Sequence, residues 1–535
     1  MNGIPRMIKV TGAVVGLAAL IVFGFVKTRT QDPNVQTRQR RTNLPASGSM
    51  LKTGDDLQGA INRAKKGETI VLQSGATFTG PIILPDKGAG FNTDADFITI
   101  RTSDLESIPK EGERVKPELH GRGMPKIVSP GGDKALGTAP SAHHFKFIGI
   151  EFTPTSNASY IYNLIDLGAS EYTSASQLPH HLIFDRCYIH STGLNKVRRG
   201  VALNTSETSI LNSYISGFAG AGDETQAIGG WNGSGPFRIV NNFIEGGAEN
   251  LLFGGADPAI QGLVPADIEI RRNYFAKPAE WAGKATLKTL IELKNARRVT
   301  IDGNLLDTGV RVTAVVLTVR NQDGKAPWST LEDIAVTNNI IKHASTGVNI
   351  LGSDDRFPSQ TAKRIKIENN LFLDLGMTSD TTYFVQTNGG EAVTVSHNTV
   401  QHSGNIVSGY GRPTIGFSFI NNIAQYNAYG IVCFVEGPSC SDSPVCKCFP
   451  RVAIKGNIIA NNGNAGSAIQ NIFPLGNFIL GSFDQMGFIG YQNGNWQLSP
   501  TSKIKGRATD GKDPGVDFQL LDSAGANLAV QGAAH

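Results

Sequence analysis

The stretch "FRIVNNFIEGGAENLLFGG", Phe237 to Gly255, reads as a short apolar strand, an Asn-Asn corner, a second short strand, a Gly-rich turn and a third apolar run. Relatives of its first half recur along the chain, among them "IFDRCYIHSTG", "VTIDGNLLDTG", "IKIENNLFLDLG" and "VAIKGNIIANNG". The second corner slot holds Cys187, Ser213, Asn242, Asn273, Asn304, Asn339, Asn370, Asn398, Asn422 and Asn457. The steps are 26, 29, 31, 31, 35, 31, 28, 24 and 35 residues, a mean of 30. A period of that size, built of short β-rich runs without helical periodicity, marks a solenoid of strands. The fold expected is all-β: a single-stranded right-handed parallel β-helix.

Stacking explains the composition. Rungs lie about 4.8 Å apart, so equivalent positions touch. Ile239, Ile270, Ile301 and Ile367 are expected to point inward in one column that no single rung could bury alone. The corner asparagines are expected to hydrogen-bond along their column and to tolerate a left-handed backbone. Cys187 shares that column and reads as a buried free thiol.

The chain has 535 residues, 62 of them Gly, with 18 % charged residues and a net charge of +4. Part of the positive charge lies at Lys27, Arg29, Arg38, Arg40 and Arg41, and no basic stripe marks the repeats, so nucleic acid is not an expected partner. Val10 to Val26 is an uncharged, mostly apolar run of 17 residues preceded by Arg6 and Lys9. It reads as a signal-anchor or signal peptide over residues 1–26, followed by a disordered tether over 27–50. The solenoid is expected over 51–500 and a closing segment and tail over 501–535. Leu57, Ala60, Ile61 and Ala64 repeat at helical spacing, with Asp55 or Asp56 to cap the start and Gly67 to end it, giving a helix over the open end. Cys433, Cys440, Cys446 and Cys448 match no common zinc spacing, and at least two of them are expected to pair in an exported protein.

Any site on such a coil lies on an outer face. Glu249, Asn250 and Asp257, then Glu292, Lys294 and Asn295, then Arg320 and Asn321 collect where the third strand of successive units ends, with Trp231, Trp281 and Trp328 in the same units. The opening and the repeats resemble the pectate-lyase superfamily. "LFGGADP", "ELKNARRV" and "TVRNQDG" look like uncharacterised bacterial right-handed β-helix repeat proteins, which imply no established reaction. The Asn242-to-Glu249 segment is similar to the calcium segment of chondroitinase-B-type polysaccharide lyases, but Gly254 stands where those lyases carry a lysine base. Pectin methylesterase and polygalacturonase motifs are absent or scattered.

The resemblance implies an exported, carbohydrate-active protein, a polysaccharide lyase cleaving uronate-containing glycans by β-elimination. The alternative is a non-catalytic glycan-binding or structural β-helix. Expected catalytic residues are Lys294, Arg320, Glu249 and Glu292. Asn250, Asn295, Asn321, Trp231 and Trp328 are expected to bind substrate, and Asp223, Glu249 and Asp257 to hold Ca²⁺. The protein is expected to be a monomer of the cell envelope, periplasmic or extracellular, with a membrane anchor and a polysaccharide partner.

Overall fold

The computed structural model describes residues 50–376, 382–435, 445–461 and 469–526. The apolar run at 10–26 and Cys440 lie outside them. Among the described residues no helix is long and apolar enough to cross a membrane.

Three parallel sheets of 13, 14 and 12 strands run the length of the coil, each taking every third strand of the chain, with Phe478–Leu480 added at the end of the 14-stranded one. A fourth, two-stranded antiparallel sheet joins Phe488–Gly490 to Asn495–Leu498. The register places Ile239 beside Ile270, Ile270 beside Ile301, Ile301 beside Val336 and Val336 beside Ile367. All five side chains are buried in one continuous core. The helix Leu57–Arg63 buries Leu57 and Ile61, and the Asp56 side chain caps it by accepting from Gly59 N. It ends at Ala64, ahead of Gly67, whose φ of +73° belongs to the following turn.

The asparagine column is continuous from Asn242 to Asn457 and extends one step further, to Asn477. Each amide oxygen accepts from the backbone N–H of the rung before, as in Asn242 N to Asn273 Oδ1 at 2.9 Å and Asn457 N to Asn477 Oδ1 at 3.1 Å. Each amide nitrogen donates to the next amide oxygen and to a backbone carbonyl; Asn304 Nδ2 reaches Asn339 Oδ1 and Ile270 O, both at 2.9 Å. The left-handed backbone falls one slot earlier than expected, on Arg186, Asn212, Asn241, Arg272, Asn338, Asn369, His397 and Asn421. The corner therefore divides its work: the first residue turns the chain and the second satisfies buried backbone groups. Asn304→Leu strips an acceptor from Asn273 and a donor from Ile270, so it should lower unfolding free energy by about 1–3 kcal/mol in denaturant titration.

Cys433 and Cys448 form a disulfide, and Cys187 is a free, buried thiol that burial pushes up to about 12. Downstream, Phe483, Met486, Trp496, Ile504, Val516 and Leu521 cover the outward residues Leu305, Ile340, Leu371, Ile423 and Ile458 of the second sheet. The C-terminal segment thus folds back along the flank of the coil. Asp517 caps the helix Phe518–Ala524, and Asp510 and Asp513 accept from backbone N–H groups within the same turn, so all three are turn formers.

Candidate functional site on the third sheet

The outer face of the third sheet gathers the chemistry. Register brings Asn163, Arg199, Gln226, Glu249 and Thr289 into one column across five rungs. A parallel column carries Asp166, Ala202, Gly229, Leu252 and Glu292. Both point away from the core because the residues between and beside them, such as Leu251 and Phe253, fill it.

At one end of this face stand basic and aromatic groups. The Arg198 guanidinium lies 4.7 Å from the Tyr162 ring centre, and Arg199 lies 5.2 Å from Tyr162 and 4.8 Å from Trp231. Tyr160 and Tyr162 are 45 % and 53 % exposed, so their rings are open to a ligand. Asp223 accepts from the Tyr160 hydroxyl and pairs with Arg198 at 3.5 Å. Burial, then the repulsion of Arg198, holds Arg199 below the ordinary guanidinium value.

At the other end lies a carboxylate–lysine group. Lys288 pairs with Glu224, Lys294 with Glu292 at 3.5 Å, and Gln226 Nε2 donates to Glu249 at 2.7 Å. Burial, with Glu292 close by, raises the Glu249 carboxyl despite the Gln226 bond. The Lys288 bond lowers the Glu224 carboxyl, which also feels the charges of Lys294 and Arg198 and so joins the two ends. Arg199 Nε and Gln226 Oε1 are buried without a protein partner, polar atoms that a ligand or water could meet.

Several expectations change on this geometry. Asn250 is fully buried, with Nδ2 donating to Ile244 O and Ala276 O at 2.7 Å, so it holds the corner and does not meet substrate. Asn295 and Asn321 are buried as well, tied to Leu263 O and Thr330 N, and to Pro358 O and Ala326 N. Arg320 donates its backbone N–H to Lys294 O at 2.9 Å from the next rung, and its guanidinium pairs with Asp354 and Asp355 at the edge of the sheet. Glu249 is 1 % exposed. Asp257 accepts from Asp323 N and Lys325 N and shapes a loop. Trp281 is buried, and Trp328 donates its indole N–H to Leu263 O at 2.9 Å. Among the described residues Asp223, Glu249 and Asp257 form no three-ligand group.

Lys294, Glu292, Trp231 and Asp223 remain at the outer face of the third sheet. Tyr160, Tyr162, Arg198, Arg199, Glu224, Gln226 and Lys288 join them from positions that the strand-end pattern passed over. The run "KVRRG" was the available signal: adjacent arginines beginning a third-sheet strand, Val197–Leu203. Gly254 also gains a reason. A Cβ there would lie 2.6 Å from Lys294 Cβ, so glycine leaves space for the lysine of the next rung.

A separate cleft lies elsewhere. It has a volume of about 1170 Å³ and sits on the second sheet beside Tyr214, Phe243, Glu245 and Tyr274. Burial, opposed by the Gly217 N–H and reinforced by Glu280, raises Glu245 to about 7. The neutral acid is the form favoured by folding, so its contribution is full below the ordinary carboxylate range and is lost as pH rises through about 7. Glu245→Gln should therefore be the more stable protein at pH 8, by about 2–3 kcal/mol, and lose that advantage near pH 4. Denaturation midpoints at the two pH values read it.

No protein-family model matches the chain, and no curated protein matches it. Among solved structures it is similar to the PL6 family alginate lyase AlyGC, at 14 % identity and a TM-score of 0.54 over 88 % of this chain. An arginine mutant of AlyGC aligns at 15 % identity with a TM-score of 0.52, again over 88 % of this chain. The chain spans 57 % of the length of either. A mannuronic acid specific polysaccharide family 6 lyase from human gut microbiota aligns over 90 % of this chain and 99 % of its own, at 12 % identity and a TM-score of 0.49. At these identities the likeness is one of fold: the chain is a right-handed parallel β-helix protein, built as those lyases are.

Proposed function

We propose that the outer face of the third sheet binds an acidic polysaccharide and cleaves it by β-elimination at a uronate residue. The observation that carries this reading is the continuity of the Arg198–Arg199–Tyr162–Trp231 platform with the Glu224–Lys288–Glu292–Lys294 group. Rungs about 4.8 Å apart give a face several sugar residues long, and an open face suits a polymer better than an enclosed pocket. Arginine matches a carboxylate through paired N–H donors, and exposed tyrosine rings offer surfaces for sugar rings. The fold shared with alginate lyases supports the class.

In the reaction, Lys294 takes the proton on the carbon next to the uronate carboxylate. The electron pair forms a double bond to the neighbouring carbon, and the glycosidic C–O bond breaks. The departing oxygen takes a proton from solvent or from a neighbouring acid. A cation at the carboxylate acidifies the C–H being broken. Arg198 and Arg199, three rungs before the strand that leads into Lys294, hold a carboxylate elsewhere along the same polymer. Glu292 holds the Lys294 side chain in place, and Glu249 positions Gln226. The Cys433–Cys448 disulfide and the glycan substrate together support a cell-envelope or extracellular protein.

Ultraviolet absorbance of the unsaturated product tests the reading on alginate, pectate and glycosaminoglycans, with and without Ca²⁺. Product from at least one uronate polymer is expected. Retained polymer binding without product would assign the face to glycan binding alone.

A further inference from the structure

Four histidines meet on the first sheet, away from the proposed catalytic face. His143 and His180 pair in register on the adjacent strands His143–Ile148 and His180–Asp185, each followed by a second histidine. The His143 and His180 rings stack at 5.0 Å and the His144 and His181 rings at 4.3 Å. Within each strand the Nδ1 atoms of the two neighbours lie 2.8 Å apart for His143–His144 and 2.7 Å apart for His180–His181. Phe91 and Phe97 pack on the rings, and His143 and His144 are buried.

The outer contacts fix where the protons sit. His143 Nε2 lies 3.1 Å from Gly88 O, which only accepts, so this nitrogen carries the hydrogen and Nδ1 is left with a lone pair. His144 Nδ1 must then donate to it, which leaves the lone pair of His144 on Nε2. His181 Nε2 lies 2.8 Å from the Glu207 carboxylate and so carries the hydrogen, which leaves the lone pair of His181 on Nδ1. His180 Nδ1–H meets it at 2.7 Å, so an ion must displace that contact to reach His181, and the lone pair of His180 is on Nε2. One ring nitrogen from each of His144, His180 and His181 lies within 4.8 Å of the other two.

We propose that His144, His180 and His181 form a binding site for a first-row divalent transition metal such as Zn²⁺, oriented by His143 and Glu207. Imidazole nitrogens suit such ions, whereas Ca²⁺ prefers oxygen. Zinc–nitrogen bonds of about 2.0–2.1 Å put ligand nitrogens roughly 3.3 Å apart, so binding must close the observed triangle and turn the stacked His144 and His181 rings until both planes meet at the ion. The partners behind the ring nitrogens match the carboxylate and carbonyl contacts that hold metal-binding histidines in one tautomer. The site joins two rungs near the start of the coil, so an ion bound there also staples them.

The test is Zn²⁺ titration of the full chain, free of any polyhistidine tag, by calorimetry, with Ca²⁺ as the contrasting ion. One Zn²⁺ per chain is expected, with a rise in thermal midpoint that Ca²⁺ does not reproduce. His144→Asn and His181→Asn should abolish it; φ of 58° and 51° at these positions suits asparagine, so the fold should survive. Glu207→Gln should weaken binding by about 10- to 100-fold. Zinc-edge X-ray absorption of the wild-type complex reads the ligands without any variant, and three imidazoles are expected. No saturable binding, equal binding by the asparagine variants, or an oxygen-dominated shell would overturn the proposal.

Discussion

Lys277→Met should lower the free energy of unfolding by about 3–5 kcal/mol, the scale on which removing one partner from a buried polar cluster acts. Lys277 is 2 % exposed, and its ammonium donates to Gly246 O at 2.6 Å, to Gly247 O and more weakly to Ala248 O. Those carbonyls form the turn immediately before Glu249. Methionine keeps the length and apolar stem of the side chain, so the loss isolates the abandoned carbonyls, each costing about 1–3 kcal/mol when left unsatisfied. Burial lowers the lysine to about 7, with Glu249 opposing the shift. A depressed lysine pKa contributes stability that is present above its ordinary value and lost as pH falls through about 7. The wild-type protein should therefore gain stability between pH 7 and roughly pH 10, and Lys277→Met should lack that rise. Urea denaturation across this range reads both effects; a loss under 1 kcal/mol would refute the clamp.

Lys294→Ala should reduce the rate of elimination by about 10²–10⁴, the usual contribution of a positioned base. Its Nζ lies 3.5 Å from Glu292, and it occupies the space that Gly254 leaves open. The loss should appear in kcat with KM nearly unchanged, because the proton is removed only in the transition state. Arg199→Ala should do the reverse in large part, raising KM through lost carboxylate binding. Arg320→Ala should leave kcat within a few-fold, since Arg320 is held by Asp354 and Asp355. Equal kcat in Lys294→Ala and wild type would remove Lys294 as the base.

The scaffold was legible because a solenoid writes its contacts into the sequence. Asn242, Asn273 and Asn304 recur at one spacing, and in the fold they bond to one another at that spacing. The division of the corner between a left-handed residue and an amide was not legible, since "NN", "RN" and "GN" all fill the two slots. The site was partly legible. Glu292 and Lys294 stood out as charges where an apolar strand ends, and they do meet. Asn250, Asn295 and Asn321 stood beside them and looked equivalent, yet their amides face backbone groups. Period alone does not say which side chain at a bend turns inward. Arg198 and Arg199 escaped because they lie two rungs before Glu249, and only the register of the third sheet brings them together. The histidine cluster was hidden for the same reason: "HHF" and "HHL" are separated by 37 residues in sequence but pair side by side.

The most direct test of the proposed catalytic face is a crystal structure of Lys294→Ala with a uronate tetrasaccharide. The chain should lie along the third sheet, with one carboxylate on Arg199 or Arg198 and a sugar ring over Tyr162 or Trp231. The proton to be removed should face the space vacated by Lys294. A tetrasaccharide bound in the second-sheet cleft beside Tyr214 and Tyr274, with the third sheet bare, would contradict the assignment.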